Sequence, residues 1–133
     1  MDIVQRIATF LEAPAFGVVG ASTQRHKYGN KVLRCYGQNG RVAYAVHPRE
    51  TEIEGRPCVS SLADLPEAVH GVSIITPPAV TDRVMEDVVA AGIRHVWIQP
   101  GAESEAAIEH GEANGVRVIH GGPCLLVVLG YRE

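Results

Sequence analysis

Short, mainly apolar segments recur along this chain, and they alternate with longer segments whose apolar residues have helical spacing. The apolar segments are predicted strands at 16–19, 42–46, 72–75, 95–98 and 116–119. Strands that are apolar on both faces are typical of a parallel sheet covered by helices on both sides. The pattern therefore predicts an α/β chain with a five-stranded parallel sheet flanked by helices.

Capping and stop signals predict the helices between these strands. Thr76 is predicted to cap a helix with Pro77 at its first position, because proline tolerates that position. The segment 53–60 is polar and is predicted to be turn-rich, and 61–65 to form one capped helical turn. The predicted helices span 3–11, 30–38, 77–91 and 103–112. A length of 133 residues fits one domain, so we predict a single Rossmann-like, doubly wound domain over residues 1–133.

Composition and charge argue against several classes of function. A net charge of −3 and an aromatic content of 5% do not favour a nucleic-acid partner. No apolar run approaches the roughly 20 residues that span a bilayer, so we expect a cytoplasmic protein with no membrane contact. Cys35, Cys58 and Cys124 are far apart, and the histidines lack ligand spacing, so no metal site or disulfide framework is predicted.

The segment after the first predicted strand favours a bound phosphate. Residues 16–29 read FGVVGASTQRHKYG. Small residues at this position let a phosphate approach backbone N–H groups and the positive end of the next helix. The predicted contacts are Gly20, Ala21 and Ser22, with Arg25 and Lys27 as nearby cations. A tight turn without a ligand is the alternative interpretation. If the ligand interpretation holds, we expect Gly20→Val to abolish binding and leave the fold intact.

The other strand ends indicate which phosphate is bound. In a doubly wound sheet, ligands bind beyond the carboxyl ends of the strands. Nicotinamide-binding domains usually have an acidic residue after the second strand, whereas this chain has His47, Pro48 and Arg49 there. A cation at that position favours a phosphorylated ribose, either the 2′-phosphate of NADP or the 3′-phosphate of coenzyme A. A solvated loop without a ligand is the alternative.

Seven short motifs, in order, resemble those of a known family. The chain is similar to the small stand-alone coenzyme A-binding proteins, which are related to the N-terminal domains of the succinate–CoA ligase alpha subunit and of ADP-forming acyl-CoA synthetases. The resemblance covers essentially the whole chain. The motifs are VVGAS at 18–22, KYG at 27–29, AVHP at 45–48, GRPCVSSLADLP at 55–66, TPP at 76–78, VWIQPG at 96–101 and GGPC at 121–124.

The resemblance implies a ligand and a set of contacts. The ligand is coenzyme A or an acyl-CoA, with its phosphates on the first loop and its adenosine end near Pro48 and Arg49. The remaining candidate contacts are Tyr28, His47, Thr76, Pro77, Pro78, Gln99 and Gly101. Many stand-alone members carry additional arginines near the ends of the third and fifth strands, and this chain lacks them.

The resemblance also bears on catalysis. The related ligases use a phosphorylated histidine on a second domain, which this sequence does not contain, so we expect a binding domain without catalysis of its own.

Two other functions stay open at this point. A minimal NADP-dependent reductase would share the fold, although Tyr28 and Lys31 are three residues apart rather than the four of the short-chain dehydrogenase pair. A ligand-sensing regulatory module would act through a protein partner, and a homo-oligomer is also compatible with the sequence. Cys124 could form a mixed disulfide with the coenzyme thiol, or it could be a buried apolar residue.

Overall fold

The computed structural model describes all 133 residues. The helices are α1 (Ile3–Leu11), α2 (Tyr28–Gln38), α3 (Pro78–Ala90), α4 (Glu105–Ala113) and α5 (Leu125–Leu129). The strands are β1 (Ala15–Val19), β2 (Val42–Val46), β3 (Glu52–Ile53), β4 (Arg56–Val59), β5 (Gly71–Ile74), β6 (His95–Ile98) and β7 (Arg117–Ile119). One 3₁₀ turn covers Leu62–Asp64. None of the helices combines the length and the apolar character that crossing a membrane would require.

The strands form one sheet in the order β3-β4-β2-β1-β5-β6-β7. All neighbouring pairs are parallel except β3 and β4. From β1 the chain winds outward through β2 to the β3–β4 hairpin, then returns to the other side of β1 and adds β5, β6 and β7. The direction of winding therefore reverses between β1 and β5, and the predicted Rossmann-like α/β domain is confirmed.

The predicted number of five strands is wrong, because the sheet has seven. Apart from Glu52, the two additional strands lie in the segment 53–60, which was predicted to be turn-rich. Ile53 is only 1% exposed, and β4 pairs with β2 through Ala45↔Cys58 and Val46↔Val59. One buried isoleucine and an available strand edge are enough to order this polar segment as a hairpin.

The sheet is buried on both faces, which explains why its strands lack polar alternation. The core layer that includes residues of α3 and α4 is mainly aliphatic, and Met85 and Val96 in it are fully buried. The opposite layer holds most of the aromatic rings, since Phe16 packs 5.2 Å from Phe10 and 4.7 Å from Tyr36, centroid to centroid. Phe10, Phe16, Tyr36 and Trp97 therefore stabilise one layer of the core.

Several helix boundaries differ from the prediction. Helix α2 begins at Tyr28 rather than at residue 30. Thr76 does not cap α3; the N-cap is Pro77, Pro78 occupies the first turn, and the Thr76 hydroxyl lies 2.8 Å from the Thr81 hydroxyl. Helix α4 begins at Glu105, after a cap in which the hydroxyl of Ser104 accepts a hydrogen bond from a backbone N–H.

Candidate functional site

A cleft of about 580 Å³ opens at the carboxyl ends of β1, β2 and β5. It lies where the winding of the sheet reverses, which is the usual ligand position in this class of fold. Its volume is within the range of small-molecule sites. The lining residues are Gly20, Ala21, Ser22, His26, Lys27, Tyr28, Gly29, His47, Pro48, Ile75, Thr76 and Pro77.

The base of the cleft is backbone packed against backbone. Gly20 has φ +92°, and a Cβ added there would lie 2.1 Å from the carbonyl oxygen of Ile75. A Cβ added to Gly29 would lie 1.9 Å from the carbonyl oxygen of Gly20. The end of β1, the end of β5 and the first turn of α2 are therefore in direct contact. The expectation that Gly20→Val leaves the fold intact is wrong, because its side chain would collide with the backbone of Ile75, directly after β5.

The amino terminus of α2 faces this cleft without a side-chain cap. Its N-cap residue is Lys27, and no side chain accepts a hydrogen bond from the first turn. Tyr28 and Gly29 follow directly and both line the cleft. The first N–H groups of a helix have no partner within the helix, and the helix dipole makes this end positive. The arrangement suits an anion.

Ser22 can donate a hydrogen bond into the same region. Its hydroxyl oxygen accepts from the backbone N–H of Gln24 at 3.0 Å. Because a hydroxyl has one proton and two lone pairs, the proton remains available. Ser22 therefore has the chemistry expected of a phosphate contact.

A buried amide, which the sequence did not single out, holds the loop in place. Asn30 is fully buried, and its Nδ2 donates to the carbonyl oxygen of Ser22 at 2.8 Å and to the carboxylate of Glu54 at 3.0 Å. Its Oδ1 accepts from Nε of Arg34 at 2.6 Å, and Arg34 also donates to the carbonyl oxygen of Arg25 at 2.8 Å. The bond from Asn30, followed by the bond from Arg25, lowers the pKa of Glu54.

The cations around the cleft are in different states. Lys27 is exposed and lines the cleft without an ion pair, whereas Arg25 is paired with Glu54 at 2.5 Å. Arg49 is exposed and lies beyond the lining residues. The ring of His47 accepts at Nδ1 from the N–H groups of Arg49 and Glu50, at 3.1 and 3.3 Å, so this nitrogen already has two protein partners.

Most of the predicted contacts line the cleft, but some do not. Gln99 is 3% exposed; its Oε1 accepts from the N–H of Leu125 at 2.8 Å, and its Nε2 lies 3.3 Å from Sγ of Cys124. The N–H of Gly101 donates to the carboxylate of Glu103 at 2.6 Å. The predicted residues outside the lining are Arg25, Arg49, Pro78, Gln99 and Gly101.

Three lining residues were not among the predicted contacts, namely His26, Gly29 and Ile75. Of these, Gly29 had a usable signal in the sequence. A second glycine in the first turn after a glycine loop often marks close packing of a helix against a strand.

A second groove, of about 520 Å³, lies among the residues that precede β5 and β6. Its charged lining residues are Glu67 and Asp87, and no cation lines it. Electrostatics therefore favour the cleft at the carboxyl ends for a phosphorylated ligand.

Sequence comparison shows which known proteins this chain is similar to. A family model described as a CoA binding domain matches residues 15–130. The ADP-forming acetate–CoA ligase I of Archaeoglobus fulgidus is 30% identical, over 81% of this chain and 17% of the ligase. The chain thus spans less than a fifth of the length of that curated relative.

Proteins of solved structure are also similar to this chain. A conserved hypothetical protein from Pyrococcus furiosus has 37% identity and a TM-score of 0.80, covering 86% of this chain and 97% of that one. The dinucleotide-forming acetyl-coenzyme A synthetase 1 of Candidatus Korarchaeum cryptofilum has 27% identity and a TM-score of 0.70, covering 79% of this chain and 25% of the synthetase. The chain is thus similar both to a protein of its own size and to part of a much larger one.

Proposed function

The chain belongs to the CoA-binding domain family, as its sequence motifs predicted, and from that membership we propose that it binds coenzyme A or an acyl-CoA without catalysing a reaction itself. The observation that carries the proposal is the uncapped amino terminus of α2, packed against Gly20 at the reversal of strand order. We place the ligand in this cleft.

Different residues of the cleft would contact different parts of the ligand. The first turn of α2, the Ser22 hydroxyl and Lys27 would hold the pyrophosphate, since N–H donors, a hydroxyl proton and a free cation converge there. Pro48 would contact the adenosine end, with Arg49 beyond it as the cation for the ribose phosphate. Thr76 and Pro77 would line the opposite wall.

The lining of the cleft supports binding without catalysis. No aspartate or glutamate lines it, and His47 points its lone pair at two backbone N–H groups. The reductase alternative would use Lys31 beside Tyr28. The Lys31 ammonium instead lies 3.2 Å from the Glu133 carboxylate, so this alternative gains no support. Action in the cytoplasm and association with a protein partner or a second copy stay predictions.

Isothermal titration with coenzyme A, dephospho-coenzyme A and NADP tests the proposal. We expect coenzyme A to bind, and dephospho-coenzyme A to bind more weakly because it lacks the ribose phosphate. Heat from NADP alone would favour the reductase. No heat from either coenzyme would overturn the proposed ligand.

A further inference from the structure

We propose that Glu54, at the tip of the β3–β4 hairpin, is a positioning residue that holds the loop of residues 22–27 closed over the amino terminus of α2. This role depends on the proposed function only for the statement that the loop contacts a ligand. The hairpin lies outside the lining of the cleft, so Glu54 would act through the loop and not by contact with the ligand.

The backbone at Glu54 is the first observation. Glu54 has φ +54° and is the only residue other than glycine with a positive φ. Gly55 follows with φ +73°, so both central residues of the hairpin turn are left-handed. Such turns favour asparagine, aspartate or glycine at the first position. Because the turn does not favour glutamate at this position, we look for the reason in the contacts of the Glu54 side chain.

The side chain of Glu54 is the second observation, because both carboxylate oxygens contact the loop or its anchor. Oε1 accepts from Arg25 at 2.5 Å, and Oε2 accepts from the buried Nδ2 of Asn30 at 3.0 Å. The same Nδ2 holds the carbonyl oxygen of Ser22. One carboxylate therefore connects the hairpin to two points of the loop.

The two contacts differ in strength. The side chain of Arg25 is 62% exposed and that of Glu54 is 22% exposed, so the ion pair is largely screened by water. Asn30 is fully buried, and without Glu54 one of its two amide N–H groups would have no acceptor, which is costly. The bond to Asn30 should therefore contribute most of the stabilisation of the loop. The ion pair should mainly keep the Arg25 side chain beside Glu54.

Limited digestion with trypsin of the full chain measures loop opening without any ligand. The informative cut follows Lys27, because Lys27 lies in the loop and makes no ion pair in the wild type. Glu54→Gly removes the carboxylate and suits the left-handed backbone, so the hairpin should remain folded. We expect cleavage after Lys27 to be roughly tenfold faster in this variant, the scale of one lost charge-assisted hydrogen bond.

Two further variants make the result specific. Glu54→Gln keeps an acceptor for Asn30, and its cleavage after Lys27 should stay close to that of the wild type. Glu52→Gln removes a carboxylate of the same hairpin that forms no ion pair, and it should not change cleavage. Mass spectrometry of the fragments distinguishes opening of the loop, with early cuts at residues 25 and 27, from global unfolding, with cuts throughout.

Wild-type cleavage in Glu54→Gly would overturn the positioning role, and so would cleavage of Glu54→Gln as fast as that of Glu54→Gly. Titration with coenzyme A is the second measurement, and Glu54→Gly should bind roughly tenfold more weakly. If cleavage changes as expected but the wild type binds no coenzyme A, the proposed ligand fails and the role of Glu54 in the loop stands.

Discussion

Gly29 shows at the scale of a single residue how closely the site is built. Alanine normally stabilises a helix relative to glycine by about 1 kcal/mol. Here its Cβ would lie 1.9 Å from the Gly20 carbonyl oxygen. We therefore expect Gly29→Ala to lower the free energy of unfolding by about 1–3 kcal/mol, as for an overpacked position. Urea denaturation measures this.

Gly37 in the same helix is the matched control. A Cβ there would meet only the far end of the Arg56 side chain, which can rotate away, and no backbone atom. Gly37→Ala should be neutral or stabilising. Equal stability of the two variants would contradict the close contact between Gly20 and Gly29.

Lys27 and Arg49 should have separable effects on ligand affinity. Lys27 lines the cleft beside the helix terminus, so Lys27→Ala should weaken coenzyme A and dephospho-coenzyme A alike. Arg49 lies beyond the lining, on the side of Pro48. Arg49→Ala should weaken coenzyme A roughly tenfold and leave dephospho-coenzyme A unchanged. Calorimetric titration of both variants with both ligands is the measurement, and equal losses for the two ligands in Arg49→Ala would remove its assigned role.

His95 should make the stability of the protein depend on pH. Burial, followed by the charges of Arg117 and His70, lowers its pKa below the ordinary value of 6.5. As pH falls through 6.5 the unfolded chain takes up a proton that folded His95 does not, so stability present above this pH is lost below it.

Urea denaturation at pH 8 and pH 5.5 tests this effect of His95. The stability of the wild type relative to His95→Gln should decrease at the lower pH. His110→Gln, on an exposed part of α4, controls for the loss of an imidazole elsewhere. An identical decrease in both comparisons would show that His95 is not the source.

At the scale of elements, Gln99 links the end of β6 to the start of α5. The resemblance placed it among the ligand contacts, whereas the structure places its amide on Leu125 and Cys124. We expect Gln99→Ala to reduce stability by about 1–3 kcal/mol, since it leaves a buried N–H without a partner, and to leave coenzyme A affinity unchanged. Thermal melting and titration with coenzyme A, on the same preparation, distinguish the structural role from a ligand contact. Lost affinity with unchanged stability would show that Gln99 contacts the ligand.

The sequence predicted those features that depend on nearby residues. Gly20, Ala21 and Ser22 follow a strand directly, so their position at the mouth of the cleft could be inferred from local spacing. The partners of Gln99 lie far along the chain, and the sequence does not show whether an amide side chain is buried or exposed. The role of Asn30 was missed for the same reason, because its partner Glu54 belongs to a hairpin that has almost no apolar signal of its own.

At the scale of the whole molecule, the position of the cleft follows from strand order. The alternation of strands and helices predicted a doubly wound sheet, and this topology places a ligand at the carboxyl ends of its strands. The number of strands could not be inferred in the same way. The two strands missed are β3 and β4, where pairing with an existing edge, rather than apolar composition, orders the chain.

The two edge strands of the sheet, β3 and β7, also limit how copies of this molecule could aggregate. One edge of the sheet is the two-residue β3 and the other is the three-residue β7. An exposed edge recruits foreign strands through its unpaired N–H and C=O groups, and very short edges offer too few of them. The two most exposed large apolar side chains lie instead on helices, Val4 on α1 at 72% exposure and Val127 on α5 at 79%. Self-association of this protein should therefore proceed through helix surfaces, and cross-β growth from the native sheet should be suppressed.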